Sequence, residues 1–549
     1  MAQVFGNVPA SGILDIPNSV PTGMLYRIRQ ILGCNREQVK MVPMSGQGSV
    51  RGGQKIIVQL PPNSLVDLST FEMIFNGYTD HGGNEAATNV DKIVRARYFP
   101  RNIQSIIDAV EVKINGKSVQ RIDQFNYIYN ILHDFNCGDD SIRKNKIGQN
   151  ADPSSKTWNF NGLIKRKNLY PLGLNAGAGH LITNATAKDY GTYCIRQWLG
   201  ILGSGASTNI IHTGMLGDVV IELTLAGGGV LMQSAAIGAL IAYDNTTGID
   251  GFTMIDPNTM TSVNGADYDD VGPVASEGNN YTLDTISFNI TKYSMPDSFY
   301  NAMASVLSSG QTYQIYYPNY SVFQGIPSTT KTTSTRFSIA TKSLDMVIGT
   351  FQLPSRDTID TPVLGGLNYA TRAISPATAA AGEEGLQTTT FDTLINYKYP
   401  LTFNNSKYFV RNGEYIQSAR WLIGGTPLNS ENLVEQYNGV LRAFNNAQTD
   451  MLGGIYKGCC SLNHFKTQFY AHILKLNAQT DTDAYTVSGV NCAENSIDIT
   501  WETTGGDPLI TNPDTRLLPG GNTGCIPVVI ACYSSHLDVN ANRNIVYYT

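Results

Sequence analysis

The sequence predicts an all-β chain built from two related domains, with a few short amphipathic helices and long loop insertions. Three observations carry that expectation. Alternating apolar runs recur between clusters of Gly, Asn, Ser and Pro, without any strand-helix-strand rhythm. An Asn-Gly turn between two such runs, followed by an amphipathic helix, occurs twice, about 300 residues apart. The 549 residues also exceed what one hydrophobic core usually supports.

Residues 1–50 read as an extended arm with one short helical candidate, Met24 to Leu32. The first strand signal is Lys55 to Leu60, stopped by Pro61-Pro62, and Phe71 to Phe75 follows, ended by Asn76-Gly77. Ile106 to Ile114, the turn Asn115-Gly116 and Lys117 to Ile122 form a hairpin, because a type I′ turn needs positive φ at both central residues. Asp123 then caps a helix to Phe135, with Phe125, Ile128, Tyr129, Leu132 and Phe135 on one face. Residues 145–210 read as a surface excursion, Asp218 to Leu225 as a strand, and Asp267 to Asn280 as a linker.

The second domain is expected to open at Tyr281 to Ile290 and to continue with a helix from Asp297 to Leu307. Strands are predicted at Gln311 to Tyr317, Arg336 to Ala340 and Leu344 to Phe351, and a second insertion at Arg356 to Thr390. Lys407 to Gln417, turning at Asn412-Gly413, is the second hairpin. An insert from Ser418 to Asn429 separates it from a helix between Ser430 and Asn445, capped by Asn429 or Ser430. Ile497 to Trp501, Val528 to Tyr533 and Ile545 to Tyr548 supply closing strands.

Only 15% of residues are charged, against about 25% ordinarily. A neutral, Tyr-, Asn- and Thr-rich surface suits a chain that covers much of itself with partners. The net charge of −6 argues against a dedicated nucleic-acid binder. Met1 to Lys55 nevertheless holds six basic residues against two acidic ones, which fits either an arm facing an anionic genome or membrane, or a solvated segment. Eight cysteines without CxxC spacing point to reduced thiols rather than zinc or a disulfide framework. No signal peptide and no membrane-spanning apolar run is read from the sequence.

Catalytic, cofactor-binding and metal sites are each expected to be none. His133-Asp134 resembles part of a metal phosphohydrolase dyad but lacks a partner, and His133 is expected to be solvated on the polar side of its helix. His464 and His472 have no third ligand. The glycines between Ser45 and Gly53 lead into a strand rather than a helix, unlike a phosphate-binding loop. Asp267, Asp269 and Asp270 lack calcium-hand spacing, and Cys459-Cys460 near His464 has no special claim to be a nucleophile.

Arg97 to Phe135, with Pro100-Arg101-Asn102-Ile103, the strand into Asn115-Gly116 and the Tyr127-Ile128-Tyr129-Asn130 helix, resembles the first jelly roll of double jelly-roll major capsid proteins, most closely those of virophages and polinton-like viruses. Thr335 to Ser338, Ser343 to Phe351, Lys407 to Asn445 and Ser461 to Leu476 resemble parts of the second roll. The resemblance implies two tandem eight-stranded jelly rolls, at residues 51–275 and 281–549, preceded by an arm at 1–50 that faces the capsid interior. It implies a non-enzymatic structural subunit of the virion, made and assembled inside the host cell. Homotrimers would form pseudo-hexagonal capsomers tiling an icosahedral shell around double-stranded DNA. The implied partners are other copies, penton and minor capsid proteins, and an inner membrane or the genome through the arm, with no small-molecule substrate. A jelly-roll spike or a glycan- or receptor-binding module is the alternative, and a β-sandwich glycosidase would need a carboxylate pair that the sequence does not single out.

Overall fold

The computed structural model describes residues 34–46, 48–79, 97–100, 103–136, 191–203, 210–233, 240–243, 252–255, 262–263, 280–326, 332–352, 407–409, 411, 413, 416–432, 436–452, 465, 469–479, 486–487, 489–493, 497–505, 526–540 and 545–548. Four principal antiparallel sheets hold the fold, two in each half of the chain.

In the first half the strands are β1 (Asn35–Met41), β2 (Ser49–Arg51), β3 (Lys55–Gln59), β4 (Leu65–Thr79), β5 (Ile107–Ile114), β6 (Lys117–Ile122), β7 (Gly191–Ile195), β8 (Ile210–His212), β9 (Val219–Leu225) and β10 (Tyr281–Ser294). Sheet A runs β1-β10-β4-β7, with β2 also on β10 and β8 on β4, and sheet B runs β3-β9-β5-β6. Period-2 alternation directs Ile56, Val58, Val110, Val112, Ile221 and Leu223 of sheet B into the core, where Phe71, Met73, Phe75, Phe288 and Ile290 of sheet A are also buried.

The second half holds β11 (Tyr313–Gln324), β12 (Thr332–Ser338), β13 (Leu344–Gln352), β14 (Ile416–Ile423), β15 (Thr426–Asn432), β16 (His472–Lys475), β17 (Asp498–Gly505), β18 (Ile526–Val539) and β19 (Ile545–Tyr548). Sheet C runs β11-β18-β13-β16, with β19 on β18, and sheet D runs β12-β17-β14-β15. Both halves therefore visit their two sheets in one sequence: edge, opposite edge, centre, hairpin, then alternation between the sheets to the end. Among the described residues three longer helices accompany them: α1 (Phe125–Asn136), α2 (Asp297–Ser308) and α3 (Gln436–Leu452). α1 follows the hairpin of sheet B, α3 follows that of sheet D, and α2 joins the halves.

Several expectations are corrected. The arm is shorter than residues 1–50, since β1 and β2 both pair with β10. Asn76-Gly77 makes no turn: β7 and β10 pair with β4 on either side of it, and the ring of Phe99 packs where a Gly77 side chain would project. Tyr281 does not open the second half, because β10 lies between β1 and β4 in sheet A.

The second hairpin turns at Gly424-Gly425, both with positive φ, rather than at Asn412-Gly413. The supposed insert is thus most of the hairpin, and α3 begins at Gln436, beyond the predicted caps. Lys407–Phe409 is instead a single 3-10 turn, and Gly413 lies under the ring of Tyr470. Asn115-Gly116 keeps its predicted turn, with φ of 51° and 77°. Asp123 pairs with Arg121 rather than capping α1, and the backbone carbonyl of Gln124 accepts the first helical N–H bonds. The Met24 to Leu32 helix, the Asp267 to Asn280 linker before its last residue, most of residues 145–210 and the Arg356 to Thr390 insertion lie outside the described residues.

Candidate functional site

Among the described residues, a buried polar constellation lies at the seam where the two halves meet. Helix α1 is its centre. The apolar stripe read from sequence is buried as expected, but the opposite side is buried too: Asn126, Tyr127, Asn130, Ile131, His133 and Asp134 are all nearly inaccessible. His133 is therefore not solvated, contrary to expectation: its ring lies 5.8 Å from that of Tyr129, Asn130 donates to Ser105 of the first half, and Tyr127 and Asp134 meet the second half. Asp134 accepts a 2.8 Å bond from Arg411 Nη2, and both side chains are essentially unexposed. The Arg411 guanidinium also lies over the Phe469 ring, 5.7 Å from its centroid. Tyr127 donates its hydroxyl proton to the Phe351 carbonyl at 3.4 Å, and Gln352 Nε2 donates to Gln124 Oε1 at 2.9 Å. Phe465 wedges between the helices, 6.3 Å from Phe135 and 5.4 Å from Phe444.

Edge strands complete the seam, β6 from the first half and β11 from the second. Gln120 Nε2 donates to the Pro318 carbonyl at 2.9 Å and to Asn319 Oδ1 at 3.2 Å, while its Oε1 accepts from the Ile201 N–H at 2.8 Å. Gly200 is required at that approach: its φ is 74°, and a Cβ there would overlap the Gln120 amide. Tyr317 donates to the Val119 carbonyl at 3.1 Å, and Tyr313 to the Ile210 carbonyl at 2.8 Å. Burial pushes the Tyr313 phenol up to about 12, so it remains a neutral donor at any physiological pH.

The outer faces of the sheets are polar. On sheet B, Glu222 of β9 is held by Lys55 of β3 at 2.7 Å and Lys113 of β5 at 2.6 Å. Hydrogen bonds from Lys113 and then Lys55 hold the Glu222 carboxyl below the usual carboxylate range, and the bond to Glu222 raises Lys113. On sheet D, Arg336 pairs with Asp498, and Arg420 with Glu502 at 2.7 Å. On sheet A, a four-residue bulge at Leu68–Phe71 of β4 drives Phe71 onto Phe288, 5.5 Å away, and opens a cavity of about 450 Å³ beside Arg36, Glu72 and Arg196. Glu72 there is neutralised by Arg196 at 2.8 Å and accepts from Asn289 at 2.9 Å.

The residues weighed as chemical candidates are not brought together. His472 is buried beside Trp421 and accepts the Trp501 indole proton on Nδ1 at 3.0 Å. Gly52-Gly53 forms the turn before β3. His464, Cys459, Cys460, Asp267, Asp269 and Asp270 lie outside the described residues. Among the described residues no group of three or more His, Cys, Asp or Glu is placed to hold a metal ion, Cys34, Cys194, Cys492 and Cys532 are free thiols, and no helix is long and apolar enough to cross a membrane. Sequence reasoning missed Arg411, Gln120 and Tyr317. The one available signal was the density of polar residues on α1, a helix otherwise apolar enough to be buried.

No protein-family model and no curated protein matches the chain. Solved structures do match it. The crystal structure of PBCV-1 VP54, fitted into a cryo-EM reconstruction of the virophage Sputnik, is similar at a TM-score of 0.51 and 11% identity, over 96% of this chain and 100% of that one. The quasi-atomic model of the PBCV-1 virus capsid gives 0.50 and 12% over the same shares. The Faustovirus major capsid protein gives 0.47 and 10%, over 94% of this chain and 92% of that one. At near-full coverage of both chains, the likeness to VP54 and to the PBCV-1 capsid chain shows that this chain has the fold of a viral capsid protein.

Proposed function

We propose that this chain is a viral major capsid protein, in which two tandem eight-stranded jelly rolls form a rigid pair and three chains form a pseudo-hexagonal capsomer of an icosahedral shell around double-stranded DNA. The observation that carries the reading is the repeated strand order of sheets A and B in sheets C and D, locked by a buried polar seam. Two like units fixed side by side give a trimer near-sixfold contacts. The first roll would end with β10 at Ser294 and the second begin after α2, a later boundary than the sequence suggests. Charge-poor composition agrees with extensive contacts to further copies and to penton and minor capsid proteins in the virion. Assembly would take place inside the host cell.

Expression of the full chain followed by electron microscopy tests the reading. Hexagonal trimers or closed shells are the expected outcome, and discrete monomers that bind glycans would replace it with a spike or receptor-binding module. The part of the predicted arm that precedes β1 is proposed to face the shell interior, toward the genome or an inner membrane. Its deletion should leave trimers intact while impairing closed particles, and normal particles from the truncated chain would refute that role.

A further inference from the structure

The cavity beside the β4 bulge is built into the first half rather than left over from loose packing. Four residues of β4, Leu68–Phe71, stand opposite the single residue Ile290 of β10. The excess chain is tied down by its own hydrogen bonds. Ser69 donates to Asp67 Oδ1 from its N–H at 3.1 Å and from its hydroxyl at 2.6 Å. Thr70 Oγ1 donates to the Asp67 carbonyl at 2.7 Å and accepts from the Thr291 N–H at 2.8 Å. Phe71, driven inward, packs against Phe288 and Trp198, whose rings lie 5.5 and 5.3 Å away. The resulting space of about 450 Å³ falls within the roughly 300–1,000 Å³ typical of small-molecule sites, and its shape is set before any ligand arrives.

The charged groups around that space are arranged for an anion. Arg36 comes from β1 and Arg196 from the end of β7, the strands on either side of β10 and β4. Three strand spacings of about 4.8 Å separate those outer backbones, a gap that two arginine side chains reach into from opposite sides. Glu72, between them, is already saturated: Oε1 accepts from Asn289 at 2.9 Å and Gln38 at 3.5 Å, and Oε2 from Arg196 Nε at 2.8 Å and the Cys194 thiol at 3.8 Å. Those bonds use the acceptor capacity of a carboxylate and anchor Arg196 through Nε, so that its Nη donors remain for a ligand. Arg36 has no carboxylate partner among the described residues, since the neighbouring Glu37 points to the other face and pairs with Lys292 at 3.9 Å. Thr291 lines the same space with a side chain only 4% exposed, and its hydroxyl makes no hydrogen bond among the described residues.

We propose that this cavity binds a phosphate group carried by a small polar molecule. Two arginines against one internally satisfied glutamate leave a surplus of positive charge, which selects an anion. Guanidinium groups arriving from opposite strands, with a hydroxyl from a strand between them, offer donors in several directions. That suits a tetrahedral oxyanion better than a planar carboxylate, for which a single guanidinium fork suffices. The space beyond the phosphate, bordered by Gln38, Ser69 and Thr70, takes a hydroxylated carrier such as a sugar ring. The bulge supplies that border, as an irregularity in a strand re-aims side chains toward a site. Such a site does not depend on the capsid assignment, because every residue in it belongs to the first half.

Calorimetric titration of the full chain tests the assignment. Glucose 6-phosphate should bind saturably with a dissociation constant on the order of 1 mM or tighter, inorganic phosphate should compete with it more weakly, and glucose should give no saturable heat. Equal constants for the two phosphates would overturn the carrier and leave a site for the free ion. Arg36→Gln should weaken glucose 6-phosphate binding on the order of tenfold or more, and Thr291→Val should weaken it by a smaller factor, in chains that keep the native thermal midpoint. Lys117→Gln, at an exposed position on the hairpin of sheet B, should leave the constant unchanged. No saturable binding by wild type, a constant unmoved by Arg36→Gln, or an equal loss in Lys117→Gln would each overturn the site. Should Thr291→Val misfold, Arg36→Gln decides, because the Arg36 side chain is exposed and makes no ion pair among the described residues.

Discussion

At the scale of single residues, the Arg411–Asp134 pair stands out as an ion pair with both side chains essentially unexposed. An ion pair withdrawn from water is weak evidence for net stability, yet removing one partner strands the other charge and costs about 3–5 kcal/mol. Asp134→Ala should therefore lower the urea midpoint sharply, and Asp134→Leu combined with Arg411→Met should recover much of the loss. Equal loss in the single and double variants would show that packing, not charge, holds the site. The partly buried network on sheet B behaves differently. Since the folded Glu222 carboxyl is held below the ordinary value of 4.5, its contribution is complete above that value and fades as pH falls through the lower folded one. Glu222→Gln should cost about 1 kcal/mol at pH 7, and the gap from wild type should narrow in urea melts as pH falls below 4.5. A gap unchanged over that fall would exclude the carboxylate as its source.

At the scale of elements, sequence patterning was reliable where one physical cause dominates. The alternation in Ile107–Ile114 and the Asn115-Gly116 turn each have one low-energy solution, and both stand as read. The second hairpin was misplaced because two candidate turns competed: Asn412-Gly413 and Gly424-Gly425 both tolerate positive φ. The choice was made by burial of Ile416, Ala419 and Trp421 on one face of β14, a tertiary effect. The ends of α1 and α3 were misjudged because caps are local while pairing of β15 is not. The seam was illegible for a deeper reason. A polar helix face reads as solvated unless its partner is known, and Arg411 lies 277 residues from Asp134. One packing detail at this scale yields a further expectation. A Cβ on Gly349 would fall within 2.4 Å of the Trp501 indole, which packs across the core against Phe351 and Trp421. Gly349→Ala should cost about 1–3 kcal/mol by overpacking, read as a lowered thermal midpoint, and an unchanged midpoint would mean that the indole has room to shift.

At the scale of the whole molecule, one continuous hydrophobic cluster includes buried residues from all four principal sheets. The halves are thus related units that share an interior, unlike two beads on a linker. The covered side of α1 also has a consequence for how the chain is made. Synthesis delivers roughly 5–20 residues per second, so the 277 residues between Asp134 and Arg411 take on the order of 14–55 s to emerge. Until Arg411 emerges, the part of the first half already made has the Asp134 side of α1 without its Arg411 partner and the β6 edge without β11, a surface that another nascent chain can occupy before its own second half arrives. Translation speed and local crowding of ribosomes on one message therefore bear on the yield of correctly paired chains.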